Sequence, residues 1–472
     1  MIIQVDNLKC KLIRSPEDSS QILRQISDYL SVMDPNRYFV ASFRSGHWDG
    51  RYRLLTKANF FPTGLLPMVL KYCRESEVKV DLQDLRLSQE FPSSWDYTLN
   101  GDSLRDYQVE IVDQLKKPRI PNFYRGIADA ATNAGKDYIM ANLHLNIKGP
   151  TLLLINTEDV YRKAVKFFSQ YFEVGEISSK KLEIKDFTVG MQKTVLNRYY
   201  KDVNIKAYIK GLRLLLVDEG HRAVGSEYQE LITKVGAPFR YLFSGTPLDM
   251  DNPIKRIKLV GSFGPKLTKI SNQFLIENKF SQKPLITVIN SENWQGAKLT
   301  YRDEYEDCIM FNKNRNQKIV DICKNHAGEQ ILISFTEIKH GEEILNSLIF
   351  AGITSCQVVS GEDKERKEKI QAFSEGKIQV LISSMILKEG VNIPNIRVLI
   401  LAHGGKSIIT IKQYIGRALR HDGEHDFVSV YDFYDHGRTI SQHSKARFKI
   451  YRNEGFEIKY NYKANKFGTL CE

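Results

Sequence analysis

The chain reads as α/β: two parallel-sheet lobes preceded by a smaller α/β domain. Three observations predict this. Apolar strand-like segments alternate with helix-like ones over residues 101–265, and the alternation repeats over 300–435. The strand-like segments are almost continuously apolar, as strands covered on both faces are. Residues 1–100 carry two helical patterns of their own and end in a polar run. At 472 residues there is room for about three domains of ordinary size.

Composition narrows the function. With 42% hydrophobic and 26% charged residues the chain can bury sizeable cores and is not of the disordered class. A formal net charge of +12 points to a polyanionic partner, nucleic acid before membrane. The six cysteines are scattered without a Cys-x-x-Cys pair, which predicts reduced thiols and neither a zinc site nor a disulfide framework. The N-terminus has no charged leader before an apolar core, and no apolar run approaches the ~20 residues that span a bilayer. A soluble, cytoplasmic protein with no membrane partner is expected.

In the first domain, Ser15-Pro16-Glu17-Asp18 reads as a helix start with serine cap and proline at the first helical position. Ile22, Ile26 and Leu30 then share one face. Residues 43–55 mix aromatics, glycines and arginines in a hairpin-like stretch holding Arg44, Trp48, Arg51 and Arg53. Such a surface can stack on bases and neutralise phosphates; a tight turn with a buried tryptophan and solvated arginines is the alternative. A second helical pattern at 65–73 closes the unit, and the polar run at 88–102 reads as a linker.

In the first lobe the strand candidates are 127–131, 151–155, 187–190, 212–217 and 241–243. The first leads into Thr132-Asn133-Ala134-Gly135-Lys136-Asp137 and then a helical pattern. That order suits a phosphate loop: turn amides and a helix N-terminus face a polyphosphate, and the lysine reaches its outer oxygens. The fourth ends in Asp218-Glu219-Gly220-His221. A carboxylate at such a strand tip can hold Mg²⁺, and Glu219 beside it can orient or deprotonate water. The fifth ends in Ser244-Gly245-Thr246. Upstream, Arg105, Tyr107 and Gln108 open a helical run in which arginine and aromatic can sandwich a purine and the amide can read its edge.

In the second lobe the candidates are 330–335, 353–359, 378–382, 397–402 and 427–433, with residues 266–299 crossing from one sheet to the other. Ser383 and Ser384 follow the third, and a helical pattern from Gln413 to Arg420 follows the fourth. Arg417 and Arg420 are i,i+3 and share one helical face, so both guanidiniums can enter a phosphate site as fingers. Residues 436–472 set eight Lys/Arg against three acids among six Phe/Tyr. They read either as a nucleic-acid flap or as a basic helix and strand packed on the second lobe.

In this order the motifs resemble the superfamily 2 helicases, with residues 101–435 covering that family's two RecA-like lobes. Gly46-His47-Trp48-Asp49-Gly50-Arg51 and Ala402-His403-Gly404-Gly405-Lys406-Ser407 are similar, more narrowly, to the UvsW group of recombination helicases from large phages. The resemblance implies an ATP-hydrolysing DNA helicase that remodels branched DNA (branch migration, fork regression, D- and R-loop unwinding) with 3′ to 5′ polarity. ATP and Mg²⁺ are the implied cofactors, and branched or forked DNA, bound by a monomer without sequence preference, is the implied partner. It makes residues 1–100 a DNA-binding domain. Lys136, Asp218, Glu219, His221, Gln413, Arg417 and Arg420 are the implied catalytic set. Nucleotide binding falls to Arg105, Tyr107, Gln108, Thr132, Asn133, Ala134, Gly135, Lys136, Asp137 and Gly390, and Mg²⁺ to Asp218 and Asp137. Arg44, Trp48, Arg51, Arg53, Thr157, Thr194, Ser383 and Ser384 are the implied nucleic-acid contacts.

One departure stands out. The family's phosphate loop ends in Gly-Lys-Thr or Gly-Lys-Ser, and here the hydroxyl position is Asp137. A carboxylate can bind Mg²⁺, but a like charge at ~4 Å from phosphate costs on the order of 4 kcal/mol at an effective dielectric of ~20 before the metal screens it. Weakened ATP binding or turnover is expected, in the extreme a branched-DNA binder without an engine. The Glu-x-Lys fragments at 183–185 and 457–459 lack an upstream Pro-Asp partner, so a nuclease is not expected.

Overall fold

The computed structural model describes residues 1–472 apart from 88–90, 118–119, 221–224, 251, 292–299, 362, 385–395, 420–424 and 462–472. The chain divides into two compact units, Met1–Ile270 and Ser271–Glu472.

The first unit opens with a four-stranded sheet in the order Phe60–Pro62, Lys9–Ile13, Ile2–Val5, Asp81–Asp84. The helices Ile22–Tyr29 and Leu66–Glu75 bury Ile22, Ile26, Leu66, Val69 and Cys73 in one core with the sheet residues Ile3, Val5, Cys10, Leu12 and Phe61. The expected helix start at Ser15 is instead a turn. The Asp18 carboxylate accepts the Ser15 N–H at 2.7 Å and pairs with the N-terminal ammonium at 3.2 Å, and the helix begins at Ile22 without a side-chain cap. A tie to residue 1 outcompeted the local capping signal.

An eight-stranded sheet follows, in the spatial order Leu182–Glu183, Val174–Ile177, Phe187–Met191, Thr151–Ile155, Leu214–Asp218, Phe239–Ser244, Arg125–Ala130, Lys266–Ile270. All its pairings are parallel except Leu182–Glu183 against Val174–Ile177. Parallel pairing brings the C-terminal ends of Arg125–Ala130, Phe239–Ser244 and Leu214–Asp218 to one edge. The polar run after residue 90 is docked on this sheet's helices rather than loose. Trp95 Nε1 donates to Asn142 Oδ1 at 2.8 Å, and Asn146 Oδ1 accepts the Asp96 N–H at 2.8 Å. Small-domain and lobe backbones meet where a Cβ at Gly64 would lie 2.2 Å from the Val260 oxygen.

The second unit is built on a seven-stranded, wholly parallel sheet, in the order Cys356–Val359, Val380–Ser383, Ile331–Ser334, Val398–Leu401, Phe427–Tyr434, Lys283–Asn290, Glu457–Asn461. Two apolar clusters cover its faces. Residues 266–299, expected as a crossing, thus carry one strand of each sheet, Lys266–Ile270 and Lys283–Asn290. Of the two readings of the C-terminal segment, its described part follows the packed one. The helix Ile440–Asn453 buries Phe448, Ile450 and Tyr451, and Glu457–Asn461 pairs with Lys283–Asn290.

Candidate nucleotide site and nucleic-acid surface

The strand Arg125–Ala130 runs into a tight loop with Asn133 at φ 73° and Gly135 at φ 68°, both left-handed. Glycine is required at 135, because a Cβ there would also lie 2.3 Å from Gln108 Nε2. The helix Lys136–Ile147 begins at once, so its N-terminal amides and positive dipole end face the loop. Lys136 Nζ stands 3.0 Å from Glu219 Oε1 and 3.5 Å from Asp218 Oδ1. The carboxylates reach it from the tip of Leu214–Asp218, although they lie more than eighty residues away in sequence.

Glu219 is held at φ 50°, a strained backbone for a non-glycine residue, with its N–H bonded to Asp218 Oδ1 at 2.9 Å. Gly220 cannot be larger: a Cβ would lie 2.2 Å from the Leu242 side chain. Ser244-Gly245-Thr246 borders the loop, with the Gly245 Cβ position 3.3 Å from the Ala130 oxygen.

The electrostatics are those of a site short of positive charge. Burial pushes Asp218 up to about 7, against the pull of Lys136, and the Glu219 and Asp137 carboxylates push the same way. Burial disfavours the Lys136 ammonium, yet Glu219, Asp218 and Asp137 together hold it above its ordinary value. Three carboxylates around one ammonium would be relieved by a divalent cation, so the residues fit Mg²⁺ at Asp218 with Asp137 beside it. Among the described residues no three His, Cys, Asp or Glu side chains form a metal cage, and Mg²⁺ bound through one or two carboxylates plus phosphates does not need one.

Tyr107 and Gln108 lie beneath the loop. Tyr107 Oη and Gln108 Nε2 donate to the Ala134 carbonyl at 3.3 and 3.2 Å, and Gln108 Oε1 accepts the Arg105 N–H at 3.0 Å. Both ends of the amide are engaged inside the lobe, so the residue expected to read a base edge here holds the phosphate loop. Arg105 is the N-cap of Asp106–Lys116. Thr132 is half-buried at the loop's start, and Thr157 and Thr194 are half-buried just past the parallel strands Thr151–Ile155 and Phe187–Met191, at the edge where Asp218 stands.

In the second unit, Gln413 and Arg417 lie on the helix Ile408–Ala418, Gln413 buried and Arg417 half-buried. Ser383 is buried, with its hydroxyl donating to the Ser384 oxygen at 2.9 Å. That oxygen also accepts from Tyr414 Oη at 3.0 Å, tying the strand end to the arginine-bearing helix. His221, Gly390 and Arg420 lie outside the described residues.

In the small domain, Arg44 ends the short helix Ala41–Arg44, and Arg51–Arg53 pairs with Ser31–Met33. Trp48 is half-buried and donates to the Arg51 oxygen at 3.0 Å. Arg44 and Arg51 are exposed. Arg53 instead pairs with Asp28 at 2.8 Å and Asp49 at 2.5 Å, and its hydrogen bond holds Asp49 down at about 2. Sequence reasoning missed Tyr38 and Phe39, 61% and 84% exposed beside the arginine cluster. The Arg37 guanidinium lies 4.4 Å from the Tyr38 ring centre. The signal was the Arg-Tyr-Phe tripeptide just upstream of the stretch singled out.

Three family models match the chain: "DNA helicase UvsW, N-terminal" over residues 13–83, "Type III restriction enzyme, res subunit" over 102–249 and "Helicase conserved C-terminal domain" over 314–422. The chain is 26% identical to the ATP-dependent DNA helicase uvsW of Enterobacteria phage T4, over 93% of this chain and 94% of that one. It is 22% identical to the DNA 3′-5′ translocase XPB2 of Sulfurisphaera tokodaii, over 75% and 85%. Among solved structures, S. cerevisiae Dbp5 bound to RNA and ADP BeF3 shares the fold at a TM-score of 0.53 and 14% identity, over 76% of this chain and 91% of that one.

Proposed function

We propose that this chain, an ATP-hydrolysing superfamily 2 DNA helicase with the domain set of UvsW, remodels branched DNA by branch migration, fork regression and unwinding of D- and R-loops, moving 3′ to 5′. The observation that carries the reading is Lys136 within 3.0 Å of Glu219 and 3.5 Å of Asp218 at the edge of a parallel sheet. The 3′ to 5′ direction draws support from a relative that is named a DNA 3′-5′ translocase.

In the proposed cycle, the loop amides of 132–137 and Lys136 bind the polyphosphate of ATP. Glu219, freed from Lys136 as phosphate takes its place, orients a water and accepts its proton as the new P–O bond forms and the β–γ bridge breaks. Mg²⁺, when bound, would be held by Asp218 and Asp137 and would neutralise phosphate charge. Arg417 and Arg420 of the second lobe stabilise the charge that develops on the transferring group, with Gln413 and His221 in support. The small domain supplies the preference for branched DNA through Arg44, Trp48 and Arg51. Thr157, Thr194 and Ser384 contact the DNA backbone on the lobes, largely through phosphates, which makes loading salt-sensitive and indifferent to sequence. The protein acts as a monomer on DNA in the cytoplasm.

The test is a synthetic four-way junction with one labelled arm, incubated with ATP and the protein, Lys136→Ala or Glu219→Gln. Resolution into forked duplexes by the unaltered chain alone is expected. Duplex partners bearing single strands on one side or the other read out polarity. Junction binding without resolution by the unaltered chain would contradict the reading and leave a DNA-binding protein with a stalled site.

A further inference from the structure

We infer that the helix Ile440–Asn453 is a clamp on the arginine-bearing helix of its lobe, and that Arg447 is the clamp's positioning residue. The inference rests on the proposal that Arg417 serves ATP turnover. The clamp helix lies beyond residue 422, where the last matched family model ends, and composition alone left it open to a nucleic-acid role.

His443, Arg447 and Tyr451 are i, i+4 and i+8 on this helix and share one face, all buried. His443 lies against the main chain of Gly404. Arg447 Nη1 donates to the Gly405 oxygen at 3.2 Å. Gly404 and Gly405 belong to the loop 402–407, which delivers the chain into Ile408–Ala418, the helix of Gln413 and Arg417. Ser407 caps that helix by accepting the Thr410 N–H at 3.4 Å. At the far end of the clamp, Glu454 pairs with Lys412 at 2.8 Å. One helix therefore grips the arginine-bearing element at its entry and again in its first turns.

The grip is anchored in the sheet. Arg447 is fully buried, with Nε on Asp432 Oδ2 at 2.9 Å and Nη2 on the Phe433 oxygen at 2.7 Å. Tyr451 Oη donates to the same Asp432 carboxylate at 2.7 Å. A guanidinium can serve Asp432, Phe433 and Gly405 at once because its donors form a rigid fork, whereas an ammonium can keep the charge but not the three directions. The loop cannot retreat on its other side: a Cβ at Gly404 would lie 1.9 Å from Ile309 Cδ1. Displacement of a positioned group by about 1 Å can cost up to ~10²-fold in rate, so the fork's third bond bears on turnover as well as on folding.

The test is a double-mutant cycle of Arg447→Lys and Arg417→Ala on the full chain at saturating DNA. Phosphate release is measured per nucleotide-binding site, with sites counted by titration with a fluorescent ATP analogue. Arg447→Lys is expected to lower kcat per site roughly tenfold with KM for ATP within about twofold, and to cost nothing further in the Arg417→Ala background, since coupled residues are not additive. A drop confined to the number of competent sites, or one that adds fully to that of Arg417→Ala, overturns the clamp and leaves Arg447 a residue of stability alone. No effect of Arg417→Ala would instead remove the premise. Should Arg447→Lys not fold, His443→Ala, which leaves Asp432 paired, is put through the same cycle. An unchanged kcat per site there overturns the inference.

Discussion

Asp137 is the residue on which the proposed ATP turnover most depends. It is exposed in the first turn of Lys136–Ile147, where an acid suits the helix dipole. It also adds a third carboxylate to Asp218 and Glu219 around the single Lys136 ammonium. Charge, not fit, is then the cost of aspartate at this position. Asp137→Thr is expected to raise kcat/KM for ATP by about tenfold, a fraction of the ~4 kcal/mol unscreened repulsion, with DNA binding unchanged. Steady-state ATPase measurements check it, and an equal or lower value for the threonine protein would show that the carboxylate is a competent metal ligand with no penalty.

At the scale of elements, two buried contacts make stability predictions. Burial lowers His144, on the phosphate-loop helix, to about 4, while its Nδ1 bonds Thr151 Oγ1 at 2.9 Å. The unfolded chain therefore takes up this proton first as pH falls. The contribution is whole above about 6.5 and is lost progressively down to about 4, at up to ~1.4 kcal/mol per pH unit. Thermal melts of His144→Gln should show a shallower loss of Tm between pH 6.5 and 4.5 than the unaltered chain; parallel curves would refute this. Gly64→Ala forces backbone against backbone, 2.2 Å from the Val260 oxygen and 2.4 Å from that of Gly261. It should cost about 2–3 kcal/mol by overpacking, seen as a lowered Tm, with first loss at the seam between small domain and lobe in hydrogen exchange. The elements also show what was legible beforehand. Strands buried on both faces, such as Thr151–Ile155 and Val398–Leu401, announce themselves as apolar runs. Strands at or next to a sheet edge, such as Glu457–Asn461 and Val174–Ile177, alternate or carry charge, and only pairing with a neighbour in space makes them strands. Likewise the Lys136, Asp218 and Glu219 site was legible because each motif sits at its own strand's end. That Tyr107 and Gln108 turn inward was not, since it depends on a carbonyl 26 and 27 residues further on.

The whole molecule joins a small domain that exposes arginines and aromatics to a lobe that gathers Lys136, Asp218 and Glu219 at one sheet edge, and adds a second lobe that carries the arginine-bearing helix Ile408–Ala418. With a net charge of +12, contact with DNA is expected to be dominated by phosphates and to weaken steeply with salt. That this chain is a DNA-driven ATP motor is tested by its steady-state ATPase rate at fixed ionic strength without DNA, with single strands, with duplex and with a four-way junction, Lys136→Ala serving as the zero. A low rate without DNA and the strongest stimulation by the junction are expected of such a motor. A rate indistinguishable from that of Lys136→Ala on every DNA, in the chain as it stands and in Asp137→Thr alike, would contradict it.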